Sequence, residues 1–246
     1  MARRRFFVDA VRNGAAEISG DEARHLARVL RVEAGQRYEI SDNSRAWLAE
    51  VTEVRKDWVR FSMLEELAAA IERTPIVLVA ALIKFDRFEW IVEKATELGV
   101  SRIVPVESER SENGLLAAAQ KRVERWRRIA RESSQQSRRD RLPEIDEPRK
   151  LRGLELAGRK FRLEEQGGNL LREAAPGCGQ VAVLVGPEGG WTDGERERLD
   201  ASGWSRASLG PMILRAETAA IAAVAVLRQA TLEIDPEHEP PRPPSA

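Results

Sequence analysis

The sequence predicts an α/β fold built on a parallel sheet, preceded by a smaller, mostly β domain. Three observations predict it. Ile76 to Ile83 and Val181 to Val185 are continuous apolar runs of strand length, as strands buried on both faces require. Val185 leads into the loop Gly186-Pro187-Glu188-Gly189-Gly190, and a strand over Arg206 to Leu209 leads into Gly210-Pro211, each loop lying shortly before a helix. Two such loops at strand ends put a ligand crevice at the carboxyl edge of the sheet. Before Pro75 the pattern changes to short alternating segments separated by turn residues.

In that first part, Phe6 to Val8, Arg37 to Ile40, Ala46 to Val54 and Trp58 to Met63 read as strands, with Ser41-Asp42-Asn43-Ser44 as a turn. One helix interrupts them: Ser19 or Asp21 can cap it, and Ala23, Leu26, Ala27 and Leu30 repeat at helical spacing. The polar, alanine-rich stretch Glu65 to Thr74 ends at Pro75, so the expected domains are 1–72 and 73–232. The tail 233–246 carries Pro236, Pro240, Pro241, Pro243 and Pro244 among few apolar residues and is expected to be disordered.

After the strand from Ile76, a helix follows with Phe88, Ile91, Val92 and Ala95 on one face and Gly99 at its end. Ser101 to Val106 is the next strand, and β-α-β order implies a right-handed crossover. A helix over Gln120 to Gln136 turns Val123, Trp126, Ile129 and Ala130 inward, while Gln120 to Arg141 holds nine Lys or Arg against three acids. That local excess in a neutral protein is a candidate polyanion footprint. Lys160 to Leu163 is a short strand before the loop Gln166 to Asn169. Thr192 and Glu195 form a capping-box pattern that starts the helix after the first glycine loop. Ala216 to Leu227 has almost no polar face and should be buried.

Composition narrows the chemistry. The chain has 246 residues, 42% apolar, with formal net charge zero. A lone Cys178, with only His25 and His238 beside it, excludes a disulfide framework or a cysteine-cluster zinc site, and no metal is expected. The basic start Met1 to Arg5 lacks the apolar run of a signal peptide, and no segment has membrane-spanning length, so no membrane association and a cytoplasmic location are expected. The glycine spacing matches neither a dinucleotide fingerprint nor a P-loop.

Val185 to Gly190, followed by Leu209-Gly210-Pro211-Met212-Ile213-Leu214-Arg215-Ala216-Glu217-Thr218-Ala219, resembles the paired C-terminal motifs of the RsmE family, SPOUT-class methyltransferases of 16S ribosomal RNA. The resemblance extends through Lys84 to Arg87, Glu93 to Gly99, Ser108 to Ser111, Gln135 to Arg139 and the start Arg4-Arg5-Phe6-Phe7-Val8. It implies a PUA-like RNA-binding barrel followed by a SPOUT domain with a deep trefoil knot. It further implies S-adenosylmethionine as cofactor, N3 of a uridine in the decoding region of 16S rRNA as acceptor, the small ribosomal subunit as partner, and a homodimer.

Residues matching the family's cofactor motifs are Gly186, Pro187, Glu188, Gly189, Gly190, Leu209, Gly210, Ile213, Leu214 and Thr218. Glu164, Glu165 or Asn169 could meet the polar end of the cofactor. A guanidinium can stabilise the anion left when N3 loses its proton, and Arg215 is the first candidate, Arg110 the second. Arg215 could instead pair with Glu188 or Glu217. Glu188 and Glu217 are candidate bases. Arg24 and Arg28 on the first helix, and Arg125, Arg128, Arg131, Arg138 and Arg139 on the basic stretch, are the candidate RNA contacts. Alternatives are a non-catalytic rRNA-binding or ribosome-assembly factor, and a SPOUT enzyme acting on another RNA.

Overall fold

A computed structural model describes residues 4–68, 74–165, 167–174 and 179–232; the tail from residue 233 and Cys178 lie outside the described residues. The chain forms two compact units, Met1–Ile71 with Arg131–Leu142, and Glu72–Ala130 with Pro143–Ala246. The expected division near residue 72 did not include the return of residues 131–142 to the first unit.

The first unit contains β1 (Arg5–Phe7), β2 (Ala15–Ser19), α1 (Gly20–Arg28), β3 (Arg37–Ser41), β4 (Ala46–Val54) and β5 (Trp58–Glu66). Its sheet runs β1-β3-β4-β5-β2, with β1 parallel to β3 and the other pairs antiparallel. Register shifts at Leu48/Ala49 and Val51/Glu53 interrupt the β4–β5 ladder, the places where bulges add twist. Alternate residues Val59 and Phe61 of β5 point inward with Phe6, Ile18, Leu26 and Ile40.

Residues 131–142 are fastened to this unit by polar contacts. Arg5, 7% exposed, bonds Glu39 at 2.9 Å and also Asp140. Arg138 reaches the other oxygen of Glu39 at 2.8 Å, and Ser41 Oγ donates to the Asp140 carbonyl at 3.0 Å. Arg131 and Gln135 both engage Glu22, at 3.1 and 2.6 Å.

The second unit contains β6 (Ile76–Ala81), α2 (Phe85–Glu97), β7 (Arg102–Glu107), α3 (Leu115–Gln120), most of α4 (Val123–Gln136), β8 (Glu144–Ile145), β9 (Arg149–Lys150), β10 (Arg159–Leu163), β11 (Asn169–Leu170), α5 (Leu171–Ala174), β12 (Val181–Val185), α6 (Asp193–Ala201), β13 (Ser205–Ser208) and α7 (Ala216–Leu232). Its sheet is parallel throughout, in the order β11-β13-β10-β12-β6-β7-β8, with β9 also on β7.

Every residue of β6 and β12 is buried, because both faces are covered. Ile76 and Leu78 pack with Phe88, Ile91, Val224 and Leu227 of α2 and α7. Val77 and Val79, on the opposite face, pack with Leu151, Trp191, Leu199 and Trp204. The helix expected over Gln120 to Gln136 is α4, which starts at Val123; the separate short helix α3 before it was not expected. In α7 only Thr218 and Gln229 are fully exposed among the residues whose side chains are described, as its apolar sequence requires. No helix among the described residues is long and apolar enough to cross a membrane.

Candidate active site

The carboxyl ends of β10, β12 and β13 open onto one cleft of about 960 Å³. Its floor is made rigid by small residues in special conformations. Gly190 has φ +66°, and its N–H closes a turn on the Pro187 carbonyl at 2.9 Å. A Cβ on Gly186 would lie 3.0 Å from the Trp191 ring, so that ring rests directly on the loop. Trp191 is 2% exposed, and its Nε1–H donates to the Leu163 carbonyl at 3.1 Å, tying the loop to the end of β10.

The far end of the loop is fixed by the cap of α6. Thr192 Oγ1 accepts from the Glu195 amide at 3.1 Å, and Glu195 Oε2 accepts from the Thr192 amide at 3.0 Å. The remaining Glu195 oxygen accepts from the Glu109 amide at 2.8 Å. Thr192 also donates to Glu109 at 2.6 Å, and this bond, together with Arg198, holds the Glu109 carboxyl below its ordinary pKa. Next along the chain, Arg110 Nη1 donates to the Gly189 carbonyl at 2.7 Å.

The second loop is held less tightly. Ser208 Oγ bonds both the amide and the carbonyl of Gly210, whose φ of +121° suits glycine. Beyond it Met212 and Ile213 are 74% and 72% exposed, an apolar edge left at the cleft mouth. Arg215 sits at the end of this loop, exposed, with no ion pair among the described residues. The alternative pairings of Arg215 are not formed: Arg87 pairs with Glu188 and lies 3.9 Å from Glu217.

Glu217 is 4% exposed, and its Oε2 has no hydrogen-bond partner among the described residues. At the β10 side, fully buried Arg162 approaches Glu164 at 2.8 Å and Asp200 at 3.2 Å. These are ionic contacts rather than aligned hydrogen bonds, since Nε and Nη2 lack hydrogen-bond geometry.

The structure therefore brings Arg215, Arg110 and Glu188 to one cleft with every expected cofactor residue except Thr218, which is exposed and does not line it. Glu164 and Glu165 line it; Asn169 lies on the outermost strand and does not. Sequence reasoning missed Arg87, Leu163, Trp191, Arg196 and Arg206 as wall residues. The signal for Trp191 was its place beside Gly190; the others come from elements that only the fold brings near. Among the described residues no cluster of His, Cys, Asp and Glu could hold a metal.

The basic stretch looks different once folded. Glu89 accepts from Arg125 at 2.7 and 2.8 Å and from Arg122 at 3.1 Å. Arg127 pairs with Glu124 and Glu147, Arg131 with Glu22, and Arg138 with Glu39. Arg139 bonds the Arg141 carbonyl, and Arg24 pairs with Asp21 and Asp57. Of the seven candidate RNA-contacting arginines, Arg28 and Arg128 form no ion pair among the described residues. Counting acids within the stretch alone overstated its free charge, because most partners are distant in sequence.

The Glu89 pair has a pH signature. Its hydrogen bond to Arg125 lowers the Glu89 pKa in the fold, so the stabilisation is complete above the ordinary glutamate value of about 4.3 and is lost as pH falls below it. Arg125 is largely exposed, so the pair contributes less than about 1 kcal/mol. Arg125→Ala should destabilise at neutral pH and converge on the parent as the medium is acidified toward pH 3. Urea melts across that range check this, and a pH-independent difference would contradict it.

Family descriptions match both parts of the chain: "RNA methyltransferase domain" over residues 71–228 and "RNA methyltransferase PUA domain" over residues 18–61. The chain is 34% identical to ribosomal RNA small subunit methyltransferase E of Synechocystis over 82% of its own length and 68% of that protein's. It is 30% identical to the Bacillus subtilis protein of the same name over 92% and 96% of the two. A crystal structure of ribosomal RNA small subunit methyltransferase E from Neisseria gonorrhoeae bound to S-adenosyl methionine superposes with TM-score 0.84 at 28% identity, covering 93% of this chain and 98% of that one.

Proposed function

Because the chain belongs to the ribosomal RNA small subunit methyltransferase E family, we propose that it transfers a methyl group from S-adenosylmethionine to N3 of a uridine in 16S rRNA. The observation that carries the reading is the cleft itself, where both glycine loops and Arg215 converge. The residues present fit the cofactor. The loop Gly186 to Gly190 lines the cleft, Leu209, Ile213 and Leu214 offer an apolar wall for adenine, and Glu164, Glu165 and Arg196 offer polar partners for an amino acid end. When bound, S-adenosylmethionine supplies an electrophilic methyl group.

This chain's residues do the rest. Uridine N3 becomes nucleophilic only after losing its proton, which leaves negative charge on the flanking carbonyl oxygens. Arg215, without an ion pair among the described residues, stabilises that charge, and Arg110 adds a second guanidinium lining the same cleft. Glu188 takes the proton once Arg87 releases it. Holding N3 in line with the methyl group accounts for much of the acceleration.

On the first unit, Arg28 contacts RNA phosphates, with Arg24, Arg131, Arg138 and Arg139 joining by exchanging their present partners; on the second, Arg128 and Arg125 do so. The substrate is the small ribosomal subunit, which makes the activity cytoplasmic. The knot and the homodimer are part of the same reading. What supports the knot is that the chain leaves β12, passes beyond β10 to form β13, and returns as α7. What supports dimerisation is that Ile221, Ala222 and Ala225 of α7 stay partly exposed.

The test offers labelled S-adenosylmethionine with free 16S rRNA or with small subunits lacking the modification, and identifies the product nucleoside by mass spectrometry. Label in 3-methyluridine is expected, with the assembled subunit preferred. Label in another nucleoside, or none despite cofactor binding, would refute the assignment.

A further inference from the structure

A second cavity, of about 850 Å³, lies in the same unit on the other side of the Glu107–Arg110 segment. Glu109 lines this cavity, and its neighbour Arg110 lines the cofactor cleft. The two spaces thus share one short stretch of chain, the one already bonded to Thr192, Glu195 and Gly189. The cavity floor is apolar: Leu151, Leu199 and Trp204 are 7%, 6% and 3% exposed, with Leu154 and Leu156 packed beside them.

Its lining carries both signs, and two of its cations differ in kind from those of α4. The side chains of Lys150 and Arg152 are exposed and form no hydrogen bond or ion pair among the described residues. Arg152 acts on Glu109 only through space, lowering its pKa. Most arginines of α4 would have to give up a carboxylate before meeting a phosphate; Lys150 and Arg152 would not. Glu107 and Glu155, also without ion pairs, line the same cavity and suit the amino groups of a nucleobase rather than a second phosphate.

We propose that this cavity is a second nucleotide subsite, holding a base of single-stranded RNA adjoining the target uridine while Lys150 and Arg152 neutralise its phosphates. Apolar walls for a base beside free cations for the backbone is the usual composition of a single-strand site. The inference rests on the methyltransferase reading, because it needs RNA in the neighbouring cleft.

The test uses the full-length protein, a fluorescent single-stranded fragment of 16S rRNA, and a salt titration of affinity for the parent and for the Lys150→Gln/Arg152→Gln variant. Losing two single-strand phosphate contacts should weaken binding about tenfold and reduce the salt slope by about 1.4. A second variant, Leu154→Gln, keeps the rim charges and should weaken binding with the slope unchanged. Cofactor affinity and melting temperature, read on both variants, report whether the fold is intact. Unchanged affinity and slope in the charge variant, with a parent that methylates rRNA, would overturn the subsite alone. A parent that methylates no RNA would instead refute the enzymatic reading.

Discussion

Replacing Arg215 with alanine should lower the rate of methyl transfer by about 10²–10³-fold while cofactor affinity changes less than about twofold. The size follows from the proposed role: the guanidinium would act on charge that exists only when N3 is deprotonated, so its loss should fall on kcat rather than on binding. The structure favours a clean experiment. Arg215 is exposed and makes no ion pair among the described residues, and its role in starting α7 is carried by its carbonyl, which accepts from the Ala219 amide at 2.8 Å. Truncating the side chain leaves that bond in place. Arg215→Lys keeps a charge without the planar fork and should recover only part of the rate. Single-turnover transfer and calorimetric cofactor binding measure the two quantities separately. A normal rate with normal binding would remove Arg215 from the mechanism.

Arg162→Met should give the largest loss of stability, about 3–5 kcal/mol, because it removes a fully buried guanidinium that faces the nearly buried Glu164 carboxylate. Arg162 is fully buried between Glu164 and Asp200, and its Nη1 also donates to the Arg196 carbonyl at 2.9 Å. Without it, Glu164 keeps only Arg196 at 3.3 Å. Arg206, which reaches the same Asp200 from a side chain 57% exposed, is the control, and Arg206→Met should cost less than about 1 kcal/mol. Thermal melts of both variants decide the matter. For a unit of this size the first should lower the transition by about 10 °C, and equal small effects would show that the cluster contributes little.

What the sequence made legible was whatever is local. The apolar runs of β6 and β12, the cap of α6 and the two glycine loops each carry their signal within a few residues, and the loops end the parallel strands β12 and β13 on either side of β10, so their residues line one cleft. Two-residue strands such as β8, β9 and β11 carry no periodicity at all. Thr218 matched its motif but lies on the exposed side of α7. Arg87, Leu163 and Arg196 reach the cleft from three separate elements, and the pairing of Arg125 with Glu89 joins positions far apart in the chain. Such contacts depend on the topology and leave no local pattern.

The fastening of residues 131–142 to the first unit bears on how the polypeptide acquires its shape during synthesis. Arg5, Glu22 and Glu39 emerge early, yet Asp140, Arg131 and Arg138, which satisfy them, are made much later. The N-terminal portion cannot complete its charge pairing when it first leaves the translating ribosome. By then the early strands of the second portion have also appeared, so the two maturation events overlap in time. An excised fragment ending near residue 72 would leave Glu22 without Arg131 and Gln135, and Arg5 and Glu39 with only each other of these partners, and is a poor stand-in for the N-terminal portion of the intact protein.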